Sequence, residues 1–436
     1  MDEHVILSLR DTVSLVATGP RALTLETSAA RVTLTDLSPG MHAAWQVLAA
    51  AGATASGIAS SVRTTDDVIA STVMGGHLRR CDALGLLQYS VVADRHALAT
   101  IVPMVCGFYF SAAAIDADTR LRLSRFAYCR RLDDTLILES PLSTARATLP
   151  DVLGGALVGS LAQPRTCGEV RETLIASRGP DALHLGAVQS CLTLLAAAGL
   201  VGTADGEGRL AEDADPALVQ WEFHDLAFHA RSRLGRHDYP FGGTFPFIGQ
   251  IAPSPAVAPA RSTAVVELFA PDLGRLGAQD PPFSEVLERR TSAREHGGAP
   301  ITAQQLGAFL FRTARVRGIR PADGSRPYEA TSRPYPSGGA TYDLEIYVTV
   351  HRCDGIAPGL YHYLPVEHQL EHRAASADAL AQLLRDAQSA AAASGPPQLL
   401  ITLASRFARL SWKYRSMAYA TTLKNVGVLL QTMYLV

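Results

Sequence analysis

Apolar and polar residues alternate in two bursts at the start of the chain, VILSLRDTVSLVA and ALTLETSAARVTLTD, with Gly19-Pro20 between them. A period of two puts alternate side chains on one face, so this segment predicts paired strands joined by a turn. The spacing then becomes helical in MHAAWQVLAAAG and in VIASTVMGGHLRRCDALGLL, whose closing Gly-Leu-Leu leads into the strand-like QYSVV. Two strands, three helical pieces and a returning strand make a winged-helix-like unit. The plan recurs: DTLILE and ARATLPD read as strands, LGGALVGSLA and CGEVRETLIAS as helices, and AVQSCLTLLAAAGLV closes on Gly-Leu-Val. RVTLTD from Arg31 aligns with RATLPD from Arg146 at an offset of 115 residues, and Gly85-Leu86 with Gly199-Leu200 at 114. Two markers at nearly one period predict a tandem repeat.

Gly202 to Pro216 is acidic and glycine-containing and reads as a linker; a second loop, rich in proline and alanine, runs from Ala252 to Arg261. Beyond it the pattern predicts a helix over FSEVLERR, another over ITAQQLGAFLFRTARV, and a Pro-Ser-Gly-Gly loop feeding the strand LEIYVTV. GLYHYLPVEHQLE reads as a hairpin, and ARLSWKYRSMAYATTLKNVGVLLQTMYLV as an amphipathic helix starting near Lys413-Tyr414-Arg415. The expected class is α+β, divided into winged-helix-like units over 1–110 and 111–203, a connecting segment over 204–270, and a domain over 271–436.

The net charge is −2, from 39 basic and 41 acidic residues, which argues against a nucleic-acid binder or a polybasic membrane tether. CLTLLAAAGL, where a DNA-reading winged helix would concentrate arginine, carries no positive charge. The functional alternative for these units is peptide recognition by strand addition at a sheet edge; the other is support for the second half. Leu185 to Ala204 is uncharged but holds Gln189, Ser190, Thr193 and three glycines, so it reads as a buried helix and turn rather than a membrane span. An acidic start without a leader-like apolar block predicts a cytoplasmic protein. The six cysteines show no CxxC spacing, and His224 and His229, five residues apart, fall on different helix faces, so no metal site is expected. Only Lys413 and Lys424 are lysine among the 39 basic residues.

Three short motifs carry chemistry. Arg290, Ser292 and Arg294 place two guanidiniums and a hydroxyl at a helix end, a donor set suited to oxyanions. Ser337, Gly338 and Gly339 allow backbone to approach a flat ligand that a Cβ would push away. Lys413, Tyr414 and Arg415 sit together where an apolar run begins.

In this order, ERRTSAR, RPYPSGGATYDLEIYV, GLYHYLPVEHQLE and WKYRSMAYATTLKNVGVLLQTMYLV resemble the nitroreductase-fold flavoproteins, and in particular the SagB-type azoline dehydrogenases of thiazole/oxazole-modified peptide biosynthesis. WEFHDLAFHARSRLGRHDYPFGGTF is an upstream marker of that branch, so the resemblance covers about Trp221 to Val436, and the front half looks like the precursor-peptide recognition elements found with some of these oxidases. The resemblance implies FMN as cofactor, with Arg290 and Ser292 on its phosphate and Arg294 at the N1/O2 edge of its ring. It implies that Pro336, Ser337 and Gly338 line the flavin, commonly from the partner subunit of a homodimer, and Gly339 and Arg415 complete the expected cofactor-binding set. Lys413-Tyr414 falls where these dehydrogenases carry a catalytic Lys-Tyr pair. Aromatising an azoline removes a hydride, which FMN can take, and a proton, which needs a base. Tyrosine is a poor base at pH 7, but an adjacent ammonium favours its phenolate, and burial lowers a lysine's pKa, so either residue could serve. The family continues past QTMYLV, so the FMN domain is expected to be C-terminally incomplete. The implied partners are a precursor peptide bearing azolines and the cyclodehydratase that forms them. The rival readings are a small-molecule nitroreductase using NAD(P)H and a flavin-free peptide-binding scaffold subunit.

Overall fold

The computed structural model describes residues 4–27, 30–93, 96–107, 115–178, 183–292 and 297–436. The chain divides into two compact units, Met1–Pro240 and Phe241–Val436.

In the first unit, β1 (Val5–Leu9), β2 (Ser14–Gly19), β3 (Ala22–Glu26) and β4 (Arg31–Leu34) precede α1 (Pro39–Ala50), α2 (Ala55–Thr65) and α3 (Val68–Ala83). The β2–β3 hairpin turns at Gly19, as the alternation predicts, but β1 leaves this group for another sheet. Strands β5 (Leu87–Ala93) and β6 (His96–Pro103) follow, then β7 (Leu121–Leu123), β8 (Tyr128–Leu132), β9 (Thr135–Glu139) and β10 (Ala145–Leu149). The second helical set is α4 (Val152–Ser160), α5 (Cys167–Arg178) and α6 (Leu185–Ala197), closed by β11 (Val201–Thr203), and α7 (Phe223–Arg231) comes last.

The repeat is visible in matching helix stops. Gly85 and Gly199 both take φ of +66°, the left-handed conformation that glycine adopts without a Cβ penalty. After α3, Leu86 N–H donates to Cys81 O; after α6, Leu200 N–H donates to Leu195 O, both at 2.9 Å. This is the same Schellman closure twice, each with its leucine buried. The repeats share one antiparallel sheet, in the order β1-β5-β6-β10-β9-β8. Leu7, Tyr89, Ile101, Ala147 and Leu138 lie opposite one another across five of its strands, and all are buried. One apolar core therefore runs from Val5 to Val201. Helix α6 lies within that core, and among the described residues no helix is long and apolar enough to cross a membrane.

The second unit holds β12 (Val265–Glu267), α8 (Leu273–Gln279), α9 (Phe283–Arg289), β13 (Ile301–Thr302), α10 (Ala303–Ala314), β14 (Gly318–Arg320) and β15 (Ala330–Ser332). Then come β16 (Leu344–Val350), β17 (Cys353–Asp354), β18 (Gly359–Leu364), β19 (Gln369–Arg373), α11 (Ala377–Ala390), β20 (Leu399–Ser405), α12 (Phe407–Ser411) and α13 (Ala418–Tyr434). Its antiparallel sheet has the order β12-β19-β18-β16-β20. Interior strand β16, apolar apart from Glu345 and Thr349, is buried on both faces. Leu306 and Leu310 of α10 and Leu429 of α13 join its core. A capping box between Thr302 and Gln305 starts α10.

The single helix expected through Lys413 is broken. Trp412 closes α12, and α13 begins only at Ala418. The reason lies in the backbone: the amides of Thr244 and Phe245 donate to Lys413 O at 2.9 and 3.1 Å, taking the acceptor that a continuing helix would use. Lys413 and Tyr414 thus sit in a connection held by another segment, not on a helix face.

Candidate functional site

The break between α12 and α13 faces the Pro336–Ala340 loop. Gly339 has φ of +62°, and a Cβ built there would collide with both Lys413 Nζ and Tyr414 Oη. Glycine takes this left-handed φ without a Cβ penalty and leaves room for both side-chain ends, which places the Ser-Gly-Gly motif and the Lys-Tyr motif in one cluster. Lys413 Nζ donates to Tyr328 Oη at 2.5 Å and to Gly339 O at 3.4 Å, while Tyr328 Oη donates to Gly339 O at 2.7 Å. The ammonium also lies 4.8 Å from the Tyr328 ring centroid, 5.3 Å from that of Tyr414 and 6.0 Å from that of Phe245. Among the described residues Lys413 has no carboxylate partner, and the buried Tyr414 makes no side-chain hydrogen bond.

The cluster is held from behind by buried polar groups. Gly338 N–H donates to Asn425 Oδ1 at 3.0 Å, and Asn425 Nδ2 donates to Asp343 Oδ1 at 2.7 Å. The other oxygen of Asp343 accepts from Ser405 at 2.8 Å and Thr422 at 3.0 Å, so this fully buried carboxylate is satisfied by three neutral donors. Arg409 of α12 donates to the carbonyls of Thr341 and Glu329 at 2.7 and 3.0 Å and to Ser254 O, tying three segments to one guanidinium. Burial, with Arg406 and Arg333 nearby, lowers its pKa to about 10. Trp412 Nε1 donates to Ile251 O at 2.6 Å.

A charged network underlies the sheet. His362 Nε2 lies 2.9 Å from Glu345 Oε2, His362 Nδ1 3.5 Å from Glu371 Oε2, and Arg406 Nη1 3.3 Å from Glu345 Oε1. Burial raises the carboxyl pKa of Glu345, but His362, Arg333 and Arg406 outweigh it and hold the group below its ordinary value. Burial acts the same way on Glu371, where the amides of Arg261 and Ser262, with Arg373 and His362, win.

The remaining expected residues stand apart from this cluster. Arg290 and Ser292 are exposed just past α9, and no hydrogen bond, ion pair or ring contact joins them to Lys413 or to the glycine loop. Arg294 lies outside the described residues. Pro336 and Arg415 are exposed; Ser337 is half-buried, its Oγ accepting from Tyr342 N–H at 3.1 Å. A groove of about 690 Å³ lined by Ile301, Gln305, Phe309, Arg312 and Leu399 contains none of the expected site residues. Sequence reasoning missed Tyr328, Asp343, Arg409 and Asn425. Asn425 inside an apolar helix, and Asp343 at the head of an apolar strand, were the available signals. Nothing marked Tyr328.

The family model described as "ThcOx helix turn helix domain" matches residues 1–112, and that described as "Cyanobactin oxidase ThcOx" matches 121–238. Both matched models are described for the cyanobactin oxidase ThcOx, and both lie within the first unit. A Methanocaldococcus jannaschii protein named as a nitroreductase is 33% identical over 105 residues, 24% of this chain and 46% of its own length. The chain thus spans about half of that relative. A nitroreductase-type structure from Anabaena variabilis aligns at 22% identity and TM-score 0.29, over 48% of this chain and 37% of its own. One from Ralstonia eutropha aligns at 21% and 0.28, over 45% and 79%. The E. coli microcin synthetase McbBCD complex with truncated pro-MccB17 bound aligns at 19% and 0.27, over 48% and 75%.

Proposed function

We propose that this protein is an FMN-dependent oxidoreductase that converts thiazoline or oxazoline rings of a ribosomally made precursor peptide into thiazoles or oxazoles. The observation that carries the reading is the packing of Lys413 and Tyr414 against Gly339. Among the described residues, a lysine without a carboxylate partner and a tyrosine with an unengaged hydroxyl meet at a glycine whose missing Cβ leaves room for both. The likeness of the first unit to the ThcOx oxidase models supports a chemical context for that pair.

An exposed guanidinium and hydroxyl two residues apart are donors of the kind an FMN phosphate takes, which supports this cofactor. Arg290 and Ser292 are exposed, and neither side chain has a hydrogen-bond or ion-pair partner among the described residues. They would hold the FMN phosphate, with Arg294 at the ring edge and Pro336, Ser337, Gly338, Gly339 and Arg415 completing the contacts. Bound FMN supplies a hydride acceptor for carbon–hydrogen oxidation. The Lys413–Tyr414 pair takes the proton that leaves the ring carbon, and the aromatic rings of Phe245, Tyr328 and Trp412 limit water around it. A homodimer and a cyclodehydratase partner belong to the same reading.

The front half supports a peptide substrate over nucleic acid. Helix α6 is uncharged and buried, while the first two turns of α3 expose Val68, Ile69 and Val73, an apolar patch suited to a peptide, with Arg79 and Arg80 exposed near its other end.

The test is anaerobic. Protein loaded with FMN, absorbing at about 450 nm, should bleach on addition of an azoline-bearing peptide and not with the peptide lacking azolines. Bleaching by NAD(P)H alone, with no response to the peptide, would favour the small-molecule reading.

A further inference from the structure

We propose that Tyr328 is a positioning residue for this reaction: its phenol oxygen holds the Lys413 ammonium against the glycine loop and leaves the Tyr414 hydroxyl for the substrate. The inference rests on the azoline-oxidation reading and adds a residue to it from a separate segment of the chain.

The two tyrosines near Lys413 are engaged differently. Tyr328 donates its proton to Gly339 O at 2.7 Å, so the oxygen lone pairs turn to Lys413 Nζ at 2.5 Å. A hydroxyl has one proton to give; with that proton on a carbonyl, the phenol is an acceptor toward the lysine. Tyr414 Oη lies beside the same glycine and makes no hydrogen bond among the described residues.

Tyr328 is itself fixed. Its ring is buried against Phe245 and Trp412, with centroids 6.2 and 6.3 Å away. Its carbonyl accepts from Arg326 Nε at 3.2 Å, and that of the next residue, Glu329, accepts from Arg409. The charged groups on the surrounding elements are occupied elsewhere: Arg326 pairs with Asp323, Glu329 accepts from Ala256 N–H, and Arg409 binds three carbonyls. Arg415 follows on the lysine's own connection and is exposed. The Lys413 ammonium is thus held by a phenol, a carbonyl and aromatic faces. Such a setting orients a cation without fixing its charge as a carboxylate would, which suits a group that exchanges protons.

Two lysines in the whole chain make the test direct. Protein grown with ¹³C-lysine gives two side-chain signals, and Lys424→Arg assigns them. In Tyr328→Phe the ring remains and the acceptor oxygen is gone. The Lys413 side-chain signal should then move from its parent position toward that of a freely solvated lysine, because the ammonium has lost its phenol acceptor. The Lys424 signal should not move, which also reports that the fold is kept. Azole formation should slow on the order of tenfold with flavin content unchanged. An unmoved Lys413 signal overturns the proposal. So does a shifted signal with an unchanged rate in Tyr328→Phe when Lys413→Ala abolishes the reaction. If the parent oxidises no azoline, the functional reading fails, and the lysine signal alone then decides whether Tyr328 holds Lys413.

Discussion

At Gly339 one missing Cβ lets two reactive side chains meet. Alanine there would take a left-handed φ at a cost of about 1 kcal/mol and would push into Lys413 and Tyr414. Gly339→Ala is expected to slow azole formation on the order of a hundredfold while stability, measured by urea unfolding, falls only modestly. Lys413→Ala and Tyr414→Phe are expected to abolish azole formation and to keep the yellow flavin spectrum; loss of flavin in both variants would count against a role in the chemistry. The lysine and the glycine pair were legible as motifs because each is unusual in its setting. Their contact was not, since it depends on Thr244 and Phe245 taking the carbonyl of Lys413 from a segment nearly 170 residues away. Tyr328 left no trace in the pattern, because a tyrosine between a turn and a short strand is ordinary until the structure sets its hydroxyl beside a lysine.

At the level of elements, β16 and α13 are joined by polar groups inside an apolar interface. Asn425 links the glycine loop to Asp343. Asn425→Leu removes two buried hydrogen bonds and leaves Gly338 N–H and one carboxylate oxygen unpaired. A loss of about 3 kcal/mol in unfolding free energy is expected, read from the urea midpoint, with little change for a surface control such as Lys424→Arg. Most strands and helices could be read from periodicity, and the repeat from two markers at offsets of 115 and 114 residues. Periodicity does not reveal strand order, however. β1 looks like half of a hairpin with β2, yet it pairs with β5 and places Leu7 beside Tyr89 in the shared sheet. The helix break at Lys413 was hidden for a similar reason: the apolar spacing continues through it.

For the whole molecule, buried titratable groups set a direction for stability against pH. His368 Nε2 donates to Phe269 O at 3.0 Å and its Nδ1 accepts from Tyr363 at 2.9 Å, an arrangement that requires the neutral ring. Burial, aided by Arg315, lowers its pKa below 6.5. The unfolded chain therefore takes up this proton first as pH falls through 6.5, and stability declines from there down to the folded value. Glu345 and Glu371 are held below 4.5, so their contribution is complete above that pH and is lost as pH falls through their folded values. Urea midpoints should be level between about pH 7 and about pH 8 and fall in two stages below that range; the buried thiols of Cys81 and Cys191, pushed up to about 12, make them fall again on the alkaline side. His77 and His237 are also lowered by burial, so His368→Gln should reduce the slope of the upper stage without removing it; an unchanged slope would show that His368 does not contribute.

The central claim is oxidation of peptide azolines by this chain, and mass spectrometry of the substrate tests it most directly. After incubation with the FMN-loaded protein, a precursor peptide carrying azolines should lose about 2 Da per ring, since dehydrogenation removes two hydrogens, and Lys413→Ala should leave the mass unchanged. An unaltered mass with the flavin-loaded parent protein would contradict the account.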